Sequence, residues 1–190
     1  MRHYELLTAL PPAPERPQAP SIALAELVAR CEPELGDADR ALVEALVDLG
    51  DTERADEPVA NDRERMERAW ALAHEAGHEA MCEWLSFDRA LREAMAARRA
   101  NALGLEWAAP RPDVAEHAAS LAAVVTEAEG AANPLLRERV LDTARLRELD
   151  ALASGSPFST DAVLARIAAG VVLEAWDFRE DGELPEEDWR

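Results

Sequence analysis

The sequence predicts an all-α protein, a helical bundle of roughly seven helices that follows a short extended or single-turn segment at the N-terminus. Three observations predict this class. Apolar residues recur at three- and four-residue steps over most of the chain, which is the period of a helix with one buried face. Proline, glycine and short polar stretches separate these periodic segments. No stretch shows the alternation of apolar and polar residues that indicates a strand.

The first elements lie between prolines. Residues 4–10 form the short N-terminal segment, and the proline-rich connector 11–20 cannot continue a helix. Ser21 is expected to cap the first long helix, which Pro33 ends or kinks. The apolar residues of this helix follow the helical period, and they are Ile22, Leu24, Leu27, Val28 and Cys31.

A second helix is predicted from Asp37 to Gly50, since glycine is a frequent C-cap. The polar stretch 51–61 contains Pro58 and is predicted to be a surface loop. A long helix then begins at Asp62 and continues until Ser86. Its apolar stripe consists of Met66, Trp70, Ala73, Gly77, Met81 and Trp84.

After Ser86 the chain is predicted to continue as a helix that collects arginines. At about 100° per residue, Arg89, Arg92 and Arg99 share one face. The opposite, apolar face consists of Phe87, Leu91, Ala94, Met95 and Ala102. Arg98 falls within that apolar face, and burying a guanidinium requires a carboxylate from another helix. We interpret Arg98 first as half of a structural ion pair between helices and second as a contact to a partner protein.

Residues 105–112 interrupt the helical pattern a second time, and three further helices are predicted after them. The first spans 113–125, the second has Pro134 in its first turn and ends at Leu152, and the third is capped near Ser159. The apolar stripe of the third consists of Val163, Ile167, Val171 and Trp176.

The chain of 190 residues is long enough to bury about 70% of its unfolded surface. We therefore expect a single helical domain, 1–190, within which 1–105 and 112–178 are candidate sub-lobes. The acidic tail 179–190 is predicted to be loosely held.

The charge balance excludes several functions. The chain has 20 basic and 39 acidic residues, a net charge of -19, and all its basic residues are arginines. Such a field opposes binding to nucleic acid or to an anionic membrane surface. A P-loop requires a lysine, so that class is excluded as well. The two cysteines, Cys31 and Cys82, match no metal or redox spacing and are expected to be reduced thiols, with a disulfide as the alternative.

The sequence also bears on location. No segment approaches the roughly 18 consecutive apolar residues that span a bilayer. The N-terminal apolar run is too short for a signal peptide, and prolines follow where cleavage would occur. These features predict a cytoplasmic protein without direct membrane insertion.

The sharpest literal motif is HEAGH, His74 to His78, an HExxH pattern on a predicted helix. In a zinc hydrolase of this type, two histidines one turn apart bind the metal and the glutamate, here Glu75, activates water. Zinc needs a third protein ligand, and no recognisable signature surrounds the candidates, which are Glu93, Glu106 and Glu116. We therefore favour solvated or half-buried histidines, with zinc hydrolysis as the alternative.

The order of several segments resembles a known family. In chain order these are YELLTALPP, SIALAELVARCEPELGDADRALVEALVDLGD, WLSFDRALREAMAARRANALG, LRERVLDTARLRELDAL and PFSTDAVLARIAAGVVLEAWDFREDG. Together they resemble the small bacterial family of unknown function that accompanies V-type ATPase subunits, and more remotely the helical C (d-type) subunit of those ATPases. This chain is shorter than a full d-type subunit, which has three similar lobes.

The resemblance implies an all-helical, non-catalytic component between the soluble motor and the membrane rotor ring. The positions that match the family pattern are Tyr4, Leu10, Pro11, Phe87, Leu91, Arg92, Arg98, Arg99, Phe158, Trp176, Asp177 and Gly182. Most of these residues are expected to pack in the core, whereas the arginines among them are better candidates for contacts with a partner protein.

We therefore expect a non-catalytic V-type ATPase-associated protein that couples or assembles the central stalk with the rotor ring. Its expected partners are stalk and rotor subunits, which would hold it at the inner membrane peripherally, and no cofactor is expected. The candidate partner-binding residues are Arg89, Arg92, Arg98 and Arg99. Because the chain is acidic, binding should weaken as salt rises. The alternatives are the zinc hydrolase, with His74 and His78 as ligands, and a generic acidic helical adaptor.

Overall fold

The computed structural model describes residues 3–50, 59–107 and 117–180, and for 59–61, 118–119 and 177–180 it describes the backbone alone. Within these ranges the chain forms eight α-helices and no strand, which confirms the all-α prediction. The helices are α1 (Tyr4–Ala9), α2 (Leu24–Cys31), α3 (Asp37–Gly50), α4 (Val59–Ala76), α5 (Glu79–Ala102), α6 (Ala118–Glu129), α7 (Pro134–Gly155) and α8 (Thr160–Glu180).

The N-terminal elements differ from the prediction in detail. The segment after His3 is the short helix α1, which agrees with the single-turn alternative and not with the extended one. Helix α2 begins after Ala23, so the expected cap at Ser21 is wrong. Pro33 lies in a 3-10 turn, Glu32–Glu34, that ends α2 as predicted.

Helix α3 has the predicted bounds, but Gly50 has another role than the one expected. Its backbone lacks the left-handed conformation of a C-cap glycine. A Cβ atom at Gly50 would collide with the Val171 side chain of α8, so the glycine permits close contact between the helices. Gly170 does the same on the other side, where a Cβ atom would lie 2.7 Å from Leu27 Cδ2 of α2.

The predicted long helix is interrupted earlier than expected. Helix α4 already includes 59–61, which were predicted to be loop, and the remainder of that loop, 51–58, lies outside the described residues. The break falls at Gly77, which has a φ of 78°, and Ser86 lies inside α5. His78 N–H donates to Ala73 C=O at 2.9 Å and Gly77 N–H to His74 C=O at 3.1 Å, which is the Schellman pattern of a closed helix end.

Helices α7 and α8 begin where predicted, with Pro134 in the first turn of α7 and Ser159 as the cap of α8. Asn133 Oδ1 accepts from Leu136 N–H at 2.8 Å at the start of α7, and Ser159 Oγ accepts from Ala162 N–H at 3.1 Å at the start of α8. Helices α6 and α7 extend past their predicted C-terminal ends, to Glu129 and Gly155. The predicted start of α6 at 113 and the tail 181–190 lie outside the described residues.

The helices bury two apolar cores. The first core joins α2, α3, α4 and α8 with the first turns of α5 and the second half of α7. The second core joins the rest of α5 with α6 and the first half of α7. Helices α5 and α7 therefore belong to both cores and connect them, and the division at 105–112 into sub-lobes stays a prediction. None of the described helices has the length and apolar character that crossing a membrane requires.

Candidate functional site

Asp88 of α5 lies where the two cores meet, and only 2% of its surface is exposed. Its Oδ1 accepts from Arg145 Nε of α7 at 2.6 Å, and its Oδ2 accepts from Arg92 Nε, one turn further along α5, at 2.9 Å. Burial by itself would raise the pKa of Asp88. The two guanidiniums outweigh that effect and lower the pKa to about 2.

The hydrogen bonds continue from Arg145 to helix α8. Arg145 Nη1 donates to Asp142 Oδ1 at 2.6 Å, and the indole N–H of Trp176, which is fully buried, donates to Asp142 Oδ2 at 2.8 Å. The Arg139 guanidinium lies over the Trp176 ring, 5.3 Å from its centroid. Burial would lower the pKa of Arg145, but Asp88 and Asp142 raise it above its ordinary value.

These residues form one structure, which we call the junction cluster: Asp88, Arg92, Asp142, Arg145 and Trp176. Both oxygens of Asp88 and both of Asp142 accept a hydrogen bond from a side chain of the cluster. A carboxylate with a pKa of about 2 is a weak base near neutral pH, and a paired guanidinium is no acid. The junction cluster is therefore suited to fixing the angle between α5, α7 and α8, not to proton transfer.

The four predicted partner-binding arginines lie in different surroundings. Arg92 belongs to the junction cluster and also donates to Asp62 of α4 at 3.1 Å. Arg89 is half-buried, and Arg99 is exposed near the end of α5. Arg98 has the expected carboxylate on another helix, since its Nε lies 3.6 Å from Glu129 Oε1 of α6.

The predicted burial of Arg98 is wrong. Its side chain is 54% exposed, and Ala102, also assigned to the apolar face, is exposed. The rest of that face is correct, because Phe87, Leu91 and Met95 are buried in the second core. Met95 is thus the last buried residue that α5 contributes to the second core.

Beyond that last turn the chain exposes an apolar tip, which we define as Leu103, Leu105 and Trp107. Their exposed fractions are 73%, 59% and 46%. The backbone at the tip is fixed by a second Schellman pattern: Gly104, at a φ of 68°, donates to Asn101 C=O at 3.1 Å, and Leu105 N–H donates to Ala100 C=O at 2.9 Å. An ordered turn therefore presents Leu103 and Leu105 to solvent, and Trp107 follows two residues later.

The HEAGH motif does not form the continuous helix that its zinc-binding geometry requires. Helix α4 ends at Ala76, and Gly77 turns the chain so that His74 and His78 belong to different elements. His74 is exposed and stacks on Trp70, with the ring centroids 5.1 Å apart.

His78 is buried and has two carboxylate partners. Its Nδ1 lies 2.6 Å from Asp161 Oδ1 of α8, and its Nε2 lies 2.8 Å from Asp39 Oδ1 of α3. Both nitrogens can donate together only in the imidazolium form. His78 therefore joins three elements by hydrogen bonds, and neither nitrogen is left over as a metal ligand.

Metal ligands and thiols give no further site in the described part of the chain. There, no group of three or more His, Cys, Asp and Glu side chains is arranged to hold a metal ion, and Glu116 lies outside this part. Cys31 and Cys82 are free thiols. Burial raises the pKa of Cys31 to about 11, against the opposing effect of Arg166.

Comparison with known proteins gives no relative from which a function could be taken. No protein-family model, no curated protein sequence and no solved structure matches the chain. The junction cluster, the apolar tip and the exposed arginines are the features of the described residues that bear on function.

Sequence reasoning missed the junction cluster and the apolar tip. Asp88 and Arg145 are 57 positions apart, and the sequence offers no signal that pairs them among 39 acidic residues. The tip did have a signal, since Gly104 between two leucines resembles a Schellman turn with apolar neighbours.

Proposed function

We propose that this chain is a non-catalytic interaction protein that binds a partner protein through the apolar tip, and that the partner is the stalk and rotor assembly of a V-type ATPase. The exposure of Leu103, Leu105 and Trp107 just after the end of α5 carries the interaction part of the proposal. The described residues expose five large apolar side chains, and three of these lie within positions 103–107. Such clustering is typical of binding surfaces, whereas single exposed apolar residues are ordinary.

The side chains of the apolar tip can contribute much of the free energy of binding a partner. Burying a leucine or tryptophan side chain contributes roughly 1.5–3 kcal/mol, and tryptophan is enriched among residues that dominate interfaces. The Schellman hydrogen bonds of Gly104 and Leu105 hold the turn before binding. Less conformational entropy is therefore lost when the partner is bound.

The charges around the tip favour one kind of partner surface. Arg99 is exposed one turn before the tip, and Arg98 is 54% exposed beside it. An apolar pocket rimmed by carboxylates would complement this end of α5. The net charge of -19 on the whole chain would speed the encounter with a partner that is basic elsewhere.

The remaining polar groups support a non-catalytic role. The junction cluster holds its carboxylates in ion pairs, and His78 is bonded to Asp39 and Asp161. A general base or nucleophile needs a group that is free to exchange a proton with a substrate. These buried groups instead fix the helices that support the tip.

The ATPase part of the proposal is supported by the resemblance in the order of segments. That resemblance implies an all-helical component, and the fold of the described residues is all-helical. The family positions Phe87, Leu91 and Trp176 pack in or between the cores, as the resemblance implies for most of them.

A pull-down from the native membrane fraction tests both parts. The bait is the full chain in low and in high salt, and the tip variant is the double substitution Leu103→Ser with Leu105→Ser. Leu136→Ser is the matched control, because Leu136 is an exposed leucine in the first turn of α7.

The proposal predicts that ATPase subunits are recovered in low salt, less in high salt, and less by the tip variant than by the control. Recovery without ATPase subunits would reject the named partner and favour the generic acidic adaptor. Equal recovery by the tip variant and the control would reject the tip as the binding surface.

A further inference from the structure

A half-open groove lies over the first core, between α1, the end of α7 and the start of α8. Its volume is about 220 Å³, more than the roughly 150 Å³ of a cavity that holds benzene, so it has room for an indole ring. Apolar side chains make up most of its lining, and they include Leu7, Leu149, Ala153, Phe158, Ala165 and Ala169. The exposed carboxylate of Asp150 lies among them.

Two aromatic rings lie at the groove, since Phe158 lines it and Tyr4 packs on Phe158 with the ring centroids 5.0 Å apart. The Tyr4 ring is 51% exposed. Phe158 has a φ of 72°, and in the described part of the chain no other residue except glycine has a positive φ. Such a backbone is strained for phenylalanine, and strained positions cluster where a side chain is held for a function. The strained backbone thus holds an aromatic pair at the groove, with one ring open to solvent.

The described residues expose five large apolar side chains, and four of these lie at the groove or at the apolar tip: Tyr4 at the groove, and Leu103, Leu105 and Trp107 at the tip. The groove borders the first core, whereas the tip follows the part of α5 that packs in the second core. A contact between tip and groove therefore joins two copies of the chain. We infer that the apolar tip of one copy docks in the groove of a second copy, so that the chain associates with itself head to tail.

The side chains of the two surfaces match in kind. Trp107 and two leucines suit a groove that is mostly apolar and large enough for an indole ring. Arg99, exposed one turn before the tip, suits both the carboxylate of Asp150 and the face of the Tyr4 ring. One such contact covers four of the five exposed side chains and leaves Leu136, and a single exposed leucine is ordinary.

The net charge of -19 on each copy opposes self-association at long range. Salt screens this repulsion beyond about 10 Å at roughly 0.1 M, whereas it does not screen the apolar contact. Self-association should therefore strengthen as salt rises, which is the reverse of the proposed binding to the ATPase. The inference rests on the apolar tip of the proposed function but not on the ATPase. A tip seated in another copy is withheld from every other partner.

Sedimentation velocity of the purified full chain, at rising concentrations in low and in high salt, tests the inference. The average mass should rise above that of the monomer with concentration, and further in high salt. Trp107→Ala should raise the concentration of half-association at least about tenfold, because a tryptophan often dominates an interface. Leu136→Ser is the control and should associate as the unaltered chain does.

Mixing two variants shows which surfaces meet. The tip variant is Leu103→Ser with Leu105→Ser, and the groove variant is Ala153→Arg, which fills the groove from a half-buried position and repels Arg99. Each variant alone should stay monomeric. An equimolar mixture should form a dimer and nothing larger, because the intact groove of one variant takes the intact tip of the other. Circular dichroism checks folding, and Tyr4→Ala, at an exposed position, takes the place of Ala153→Arg if that variant does not fold.

Two results would overturn the inference. A chain that stays monomeric at every concentration and salt would exclude self-association. A mixture of tip and groove variants without a dimer would exclude contact between tip and groove. The ATPase proposal fails separately, because the groove variant keeps its tip and its recovery of ATPase subunits in the pull-down does not depend on self-association.

Discussion

Arg145 Nε of α7 donates to Asp88 Oδ1 of α5 at 2.6 Å, at the place where the two apolar cores meet. The Arg145 side chain is 14% exposed and that of Asp88 is 3% exposed. Charges removed from water to this extent are tolerated only when each is paired and fully hydrogen-bonded. This pair therefore fixes how α5 lies on α7, and through α5 it sets the position of the apolar tip.

Replacing Asp88 by asparagine should destabilise the fold by about 1.5–3 kcal/mol, because Arg145 and Arg92 each lose one of their two carboxylate partners. Urea unfolding followed by circular dichroism measures the change. Asp37→Asn is the control, since the Asp37 side chain is fully exposed and its ion pair with Arg40 lies on the surface. Equal effects of the two substitutions would contradict a stabilising role of the buried pair.

The lowered pKa of Asp88 predicts a pH dependence. The folded-state pKa of about 2 lies below the ordinary value of 3.8, so this carboxylate contributes stability above pH 4 that is lost as the pH falls through 2. The integrated contribution is about 2 kcal/mol. The difference in unfolding free energy between the unaltered chain and Asp88→Asn should therefore shrink by that amount between pH 6 and pH 2. A difference independent of pH would contradict the assignment.

Gly77→Ala should destabilise the fold by about 1 kcal/mol, since alanine is strained at a φ of 78°. Nothing lies within 4 Å of a Cβ atom placed there, so the backbone alone accounts for the effect. If α4 and α5 were instead one continuous helix, alanine would stabilise it by a similar amount. Gly155→Ala, at an open position without positive φ, is the control and should be neutral or stabilising. Thermal unfolding distinguishes the two signs.

His78→Ala should destabilise the fold by roughly 1–3 kcal/mol, because Asp39 and Asp161 lose their contacts with the buried imidazole. His74→Ala should change stability by less, since His74 is exposed and only stacks on Trp70. The measurement is urea unfolding with and without a chelator. A zinc site made by both histidines would instead give equal losses that the chelator reproduces.

The sequence predicts helices well where one apolar stripe faces one core. Helix α3 has this pattern and was predicted with its observed bounds, Asp37 to Gly50. The break at Gly77 was missed because the stripe continues in register from Ala73 to Met81, and a lone glycine is tolerated inside a helix. Nothing in the local pattern showed that His78 would find two carboxylates on α3 and α8.

The site was less predictable than the fold. Arg98 does have a carboxylate near it on another helix, but its predicted burial, which was the reason for expecting one, was wrong because α5 leaves the second core before its last turn. Arg145 is far less exposed than Arg98, and its partner Asp88 is set by the crossing of two helices. Spacing along one helix cannot reveal which distant residues a crossing brings together.

The most direct test of the proposed function is binding of the purified full chain to the intact V-type ATPase of the same organism, followed by biolayer interferometry in low salt. We expect saturable binding. Its affinity should fall at least about tenfold when Trp107 is replaced by alanine, since an interface tryptophan contributes roughly 2 kcal/mol or more. Leu136→Ser, at the exposed start of α7, should bind as the unaltered chain does. Absence of binding to the ATPase, or full binding by Trp107→Ala, would contradict the proposal.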